Sequence, residues 1–157
     1  EEINAMYAES MRMQKLEANA YKEKMQDLQQ RVALIETSIH ESKTFLSSDI
    51  VCTFKSRAKM SCYDFSTTEW EELIRQFRQS YPAMFMAISN EYRIMQNGIK
   101  LCILLMLQLR ESDIANILNI SSTAVSNIKS SINQTMFGEK TSRSLYQNLY
   151  KRYGLPL

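Results

Sequence analysis

Residues 113–132 read "DIANILNISSTAVSNIKSSI". Apolar residues recur at helical spacing on both sides of a central "NISS". A first short helix places Ile114, Ala115 and Leu118 on its inner face. A second places Val125, Ile128 and Ile132 there, with Ile120 plugging the turn between them. Ala115 stands where two crossing helices need a small side chain. Asn119 falls where the backbone needs a positive φ, which Asn tolerates best after Gly. Ser121 is placed to cap the second helix. This spacing predicts a helix-turn-helix, with the second helix at about 122–134. A merely structural helical hairpin is the alternative.

The flanking sequence predicts an all-α chain. Three Gly and two Pro in 157 residues leave room for long helices and few tight turns, and ten Met point the same way. Residues 1–41 contain neither Gly nor Pro and read as one helix of roughly 60 Å. A heptad frame fits it, with Met11, Ala18, Met25, Val32 and Ile39 at a and Tyr21, Leu28 and Ile35 at d. In a parallel pair, Glu17 meets Lys22 and Arg31 meets Glu36 across the seam, and no pair repels. The expected partner is therefore a second copy, as a parallel homodimer. A long helix folded back on its own domain is the alternative.

Helical spacing returns at Leu46, Ile50, Val51, Phe54 and Ala58, with that helix expected to start around Phe45–Leu46. A turn follows at "SCYDFS" (61–66). Ser66 and Glu69 form a candidate capping box for a helix carrying Trp70, Leu73, Ile74 and Phe77. Pro82 stops that helix and suits the first turn of the next. Trp70, Tyr81 and Phe85 read as packing residues. The strongly apolar segment from Tyr92 through Leu109, with Gly98 inside it, reads as the buried centre of the domain. Residues 142–153 form a final amphipathic helix with Leu145, Leu149 and Tyr153 inward.

Charge is uneven. Residues 1–42 carry a net −3, residues 43–109 a net +2 and residues 110–157 a net +3. The basic C-terminal part suits a polyanion. Cys52, Cys62 and Cys102 are far apart, and His40 is the only histidine, so neither a zinc site nor a disulfide framework is expected. No Ser/His/Asp set and no P-loop is present, so the chain is expected not to be an enzyme and to need no cofactor, metal or small-molecule substrate. One stretch argues otherwise. "IHESKTFL" (39–46) resembles the phosphoacceptor box of bacterial sensor kinases, and the frame puts His40 at an outward b position. An ATP-binding half would need glycine-rich loops, and only Gly98, Gly138 and Gly154 lie downstream. A detached phosphotransfer role for His40 stays open as a lesser alternative.

The stretch "IANILNISSTAV" resembles the LuxR/NarL-type effector domain and, more distantly, sigma-factor region 4. The matching positions are Ile114, Ala115, Leu118, Ile120, Ser121, Ala124 and Val125. The wider chain is similar to the C-terminal part of bacterial tetratricopeptide-repeat, membrane-anchored transcription regulators. "SDIV" (48–51), Trp70 with Leu73, "YPAMF" (81–85), "CILL" (102–105), "AVS" (124–126) and "FGEK" (137–140) carry that likeness over roughly residues 40–153. The resemblance implies a coiled-coil helix at 1–42, a helical connector at 43–90 and a LuxR-like helix-turn-helix domain at 91–157. It implies signal transduction to duplex DNA, with Ser122, Thr123, Ser126, Asn127 and Ser130 facing bases and Lys129, Lys140, Arg143, Lys151 and Arg152 facing phosphates. Asn127 is the best base reader, because Asn can bond adenine bidentately. The chain departs from that family in charge, since recognition helices of this kind usually carry several basic residues and this one has only Lys129. Two copies side by side would offset such weakness. Loss of DNA binding, leaving an all-α signalling or interaction adaptor, is the other outcome.

The longest apolar run, residues 101–109, is too short for a bilayer, which needs roughly 20 residues. No signal peptide is visible, and the sequence begins at Glu1 within a helical pattern. The expectation is a cytoplasmic piece of a longer protein, whose preceding segment would hold any inner-membrane anchor.

Overall fold

The computed structural model describes residues 2–91 and 96–153. Among these residues the chain is all-helical, with eight helices and no strand. They are α1 (Glu2–Leu46), α2 (Asp49–Lys59), α3 (Thr67–Ser80), α4 (Pro82–Glu91), α5 (Gln96–Met106), α6 (Glu111–Leu118), α7 (Ser122–Phe137) and α8 (Leu145–Tyr153). No helix among them is long and apolar enough to cross a membrane. The chain divides into two units, residues 1–38 and residues 39–157.

The first unit is helix throughout its described length, and every residue from 2 to 37 is exposed. Met11, Tyr21, Leu28, Val32 and Ile35 stand open, and Met25 is the least exposed of the large seam residues within this unit at 40%. Ala18 is exposed as well, and Ile39, the first residue of the second unit, is half-buried.

The second unit holds one core. α5 touches α3, α4, α6 and α7, and every residue from Leu101 to Leu107 is buried. A helix that is apolar all round belongs in such a centre. Gly98 is buried within α5. The expected start of this helix at Tyr92 falls in residues 92–95, outside the described residues. Its end comes earlier than Leu109, because Gln108 takes a left-handed φ of 57° and its N–H bonds back to the Leu105 carbonyl. The expected separation of a connector at 43–90 from a domain at 91–157 gives way to this shared core. Phe45, Phe54, Leu73, Phe77 and Ile88 on one side pack in one cluster with Leu104, Ile114, Ile132 and Leu149 on the other.

The start of the second unit also differs from expectation. α1 runs on through Lys43 and Thr44 to Leu46, so the next helix begins at Asp49 and not at Phe45–Leu46. The reason is packing. Phe45 must stay helical to put its ring edge-on to Phe77 at 5.8 Å and to Tyr81 at 5.6 Å. The helix then stops at hydroxyls: Ser47 donates to the Lys43 carbonyl and Ser48 to the Phe45 carbonyl.

Local signals elsewhere behave as their chemistry dictates. Ser66 and Glu69 form a full capping box at α3, with Ser66 N–H donating to Glu69 Oε2 at 2.8 Å and Glu69 N–H donating to Ser66 Oγ at 3.2 Å. Pro82 opens α4. Trp70 is buried against Phe54, and the Lys100 ammonium lies 4.6 Å from its ring. Leu145 and Leu149 are fully buried, whereas Tyr153 is only partly so. The last helix starts at Leu145, not at residue 142.

Candidate nucleic-acid interface

The geometry of α6, α7 and the turn between them follows from a few residues. Asn119 ends α6 in the left-handed region (φ 53°, ψ 46°). Its N–H and that of Ile120 bond back to the Asn116 and Ala115 carbonyls, satisfying groups that a helix end leaves open. Ser121 starts α7, its Oγ accepting from the Ala124 N–H at 3.0 Å. Ile114, Ala115, Val125, Ile128 and Ile132 are buried between the helices, and Leu118 and Ile120 pack partly buried beside them. Ile117 is buried too.

With that inner face occupied, α7 turns a polar face outward. Ser122, Thr123 and Asn127 are exposed, and Ser126 and Ser130 are half-buried. Thr123, Asn127 and Ser130 fall at i, i+4 and i+7, a single stripe of the helix. Ser131, Gln134 and Thr135 are also exposed, so this surface runs the length of α7 without a charged side chain.

Lys129 is the principal correction. Its side chain is only 13% exposed, and its ammonium lies 3.4 Å from Glu111 Oε2 on α6. Ser126 donates to the other oxygen of the same carboxylate at 2.9 Å. Position 129 follows the buried Ile128 and lies one turn beyond Val125, so it rides the flank of α7 that meets α6. Lys129 ties the two helices together, whereas the sequence placed it facing phosphates.

The remaining cations fall elsewhere. Lys140, Arg143, Lys151 and Arg152 are exposed. The Arg152 guanidinium lies 5.8 Å from the centroid of the Phe137 ring. Lys140 and Arg143 ride the loop between α7 and α8, which opens at Gly138 with φ 72°. No spacing rule pointed to what holds this loop. Asn133, fully buried, donates through Nδ2 to the Thr141 carbonyl at 2.7 Å and to Ser144 Oγ at 2.9 Å. Its Oδ1 accepts from Asn148 Nδ2 at 2.8 Å. Ser144 and Asn148 also donate to the Glu139 carboxylate. These two donors, Ser144 first, hold the carboxyl of the exposed Glu139 below its ordinary value.

On the first helix, Asp113 is buried, and its carboxylate accepts from Arg110 Nε at 2.9 Å and from the Tyr63 hydroxyl at 2.9 Å. Arg110 above all, then Tyr63, keeps its carboxyl below the usual range. Tyr63 lies in the α2–α3 connection, so this contact fastens the turn at 60–66 to α6.

His40 is exposed, and its carbonyl accepts from Thr44 Oγ1 at 2.9 Å. It borders an open groove of about 910 Å³ between the end of α1, α2 and α3. Several polar groups on its wall are bonded within the chain. Thr44, Ser47 and Thr53 donate to carbonyls of their own helices or turn, and Glu72 is held by Arg75 and Gln76. Among the described residues no three His, Cys, Asp or Glu side chains are grouped to hold a metal ion. Burial pushes the Cys102 thiol up to about 12, leaving Cys52 and Cys62 as the exposed thiols.

No family model, curated protein or solved structure matches the chain.

Proposed function

We propose that this chain is a DNA-binding transcription regulator, dimerised through α1 and reading duplex DNA with the outer face of α7. One observation carries the reading. Asn119 ends α6 and Ser121 starts α7 across a short turn, and α7 buries one face against α6 and leaves Ser122, Thr123 and Asn127 uncovered, which supports reading the pair as a helix-turn-helix. Short hydroxyls and an amide on such a helix suit base edges and phosphates of the major groove. Asn127 is the principal base reader, flanked by Ser122, Thr123, Ser126 and Ser130. Lys140, Arg143, Lys151 and Arg152 supply phosphate contacts. The role is binding, not catalysis.

The partner for α1 is a second copy. Its apolar seam from Met25 to Ile35 is exposed in the single chain, and the Glu17–Lys22 and Arg31–Glu36 pairs favour the parallel arrangement. A parallel pair delivers two α7 helices from one end, as a two-part site needs, and doubles the few phosphate contacts of each copy.

The uncharged outer face of α7 favours a second reading, an all-α signalling or interaction adaptor that keeps the fold without DNA. Selection of random duplex DNA at low salt separates the two. The regulator enriches a sequence, and Asn127→Ala loses that enrichment at adenine positions. No duplex retention at low salt overturns the reading.

A further inference from the structure

We infer that Glu111 is the residue that sets sequence selectivity on this surface. The inference rests on the duplex-binding reading above and concerns the carboxylate at the start of α6. Its two oxygens do different things. Oε2 takes the Lys129 ammonium at 3.4 Å, and Oε1 takes the Ser126 hydroxyl at 2.9 Å.

The first contact removes charge. Non-specific duplex affinity grows with each phosphate that a cation neutralises, whatever the sequence. Lys129 is the one cation within α7, and Glu111 cancels it. The reading helix therefore offers phosphates no uncompensated cation of its own, and its binding leans on its hydroxyl and amide contacts. The second contact sets polarity. An ionised carboxylate only accepts hydrogen bonds, so the Ser126 hydroxyl must donate its proton to Glu111. Its oxygen is left with lone pairs alone. Toward the groove Ser126 is then an acceptor, matched to the exocyclic amine of adenine or cytosine and mismatched to guanine O6 or thymine O4. A serine with no such neighbour rotates to suit either partner. One exposed carboxylate thus quiets the backbone attraction and narrows what a neighbouring serine accepts.

The test compares wild type, Glu111→Gln, Lys129→Ala and the double variant on random and selected duplexes across a salt series. Thermal unfolding of each protein checks that the fold is kept. Glu111→Gln is expected to tighten binding to random duplex several-fold at low salt. It should also steepen the log affinity against log salt slope by about 0.9, one phosphate contact. In that background Lys129→Ala takes the added slope away again, whereas in the wild-type background it leaves the slope as it was. The preference for adenine or cytosine at one site position relaxes in Glu111→Gln. If wild type binds duplex and Glu111→Gln changes neither slope nor preference, the assignment of Glu111 is wrong and the DNA reading stands. If Lys129→Ala lowers the slope equally in both backgrounds, Lys129 already touches phosphate and the inference fails. If no protein of the set binds duplex, the DNA reading fails with it. If only Glu111→Gln binds, the carboxylate is a brake on a surface that does not engage DNA in the wild type.

Discussion

α1 and α5 are both rich in apolar residues, yet their burial is opposite. α5 hides six consecutive residues, Leu101 to Met106, whereas α1 hides none before Ser38. The difference lies in arrangement. From Leu101 onward α5 is apolar on every side, which only an interior can satisfy. In its second half α1 is apolar at Met25, Leu28, Val32, Ile35 and Ile39, a stripe of period three and four with charged residues around it. A stripe of that width fits one further helix and no more. Burial in α5 therefore comes from within the chain, whereas the α1 stripe from Met25 to Ile35 stays exposed in the single chain.

Substitutions in the two helices should separate these sources of stability. Val32→Glu removes an apolar seam contact in each of two copies, about 1.5–3 kcal/mol per copy. Sedimentation should show the dimer dissociating, while unfolding of the domain at 39–157 keeps its midpoint. An equal loss in domain stability would mean that α1 packs on its own domain. Leu104→Ala in α5 does the reverse. It should cost about 2–5 kcal/mol in denaturant unfolding, from lost burial and the cavity left behind, with the dimer retained.

Two smaller effects concern polar groups buried in the second unit. Asn133→Ala strands the Thr141 carbonyl and takes one of two acceptors from Asn148 Nδ2, costing about 1–3 kcal/mol and loosening the loop that carries Lys140 and Arg143. Faster amide exchange at residues 139–144 than elsewhere would show the loop effect. At Asp113 the carboxyl lies below its usual 3.8 in the folded chain. Its contribution is therefore fully present above that pH and is lost as the pH falls through the lower, folded value. Tyr63→Phe removes one donor and moves the folded value back up. That variant should be less stable than the wild type at neutral pH, and the difference should shrink as the pH falls through the folded value. A stability difference that does not change with pH would show that Tyr63 does not support the charge.

The smallest expected effect is at His40. It is exposed and makes no packing contact that the fold relies on, so His40→Ala should change stability by less than about 0.5 kcal/mol and leave duplex binding intact. A large loss of binding would return attention to the kinase-like letters around it.

Much of the fold was readable from short-range chemistry. A capping box acts over three residues, a left-handed residue ends its own helix, and proline restricts its own φ, so Ser66, Asn119, Ser121 and Pro82 announced their roles directly. Periodicity likewise separated the inner from the outer face of α6 and α7, because both faces follow from 100° per residue. The end of α1 was misplaced because Phe45 is held in helix by Phe77 and Tyr81, more than thirty residues away. Lys129 was misassigned for a related reason. Its charge made it a phosphate contact on composition, but Glu111, eighteen residues earlier, neutralises it across the packed α6 and α7. Asn133 passed unnoticed because its partners, Thr141, Ser144 and Asn148, meet it only once the loop and α8 return to α7. Helix type, caps and the inner face of each helix are properties of neighbouring residues, and the sequence states them. Which flank of one helix meets another, and so which charges are free, depends on the packing of distant segments and is known only from the folded chain.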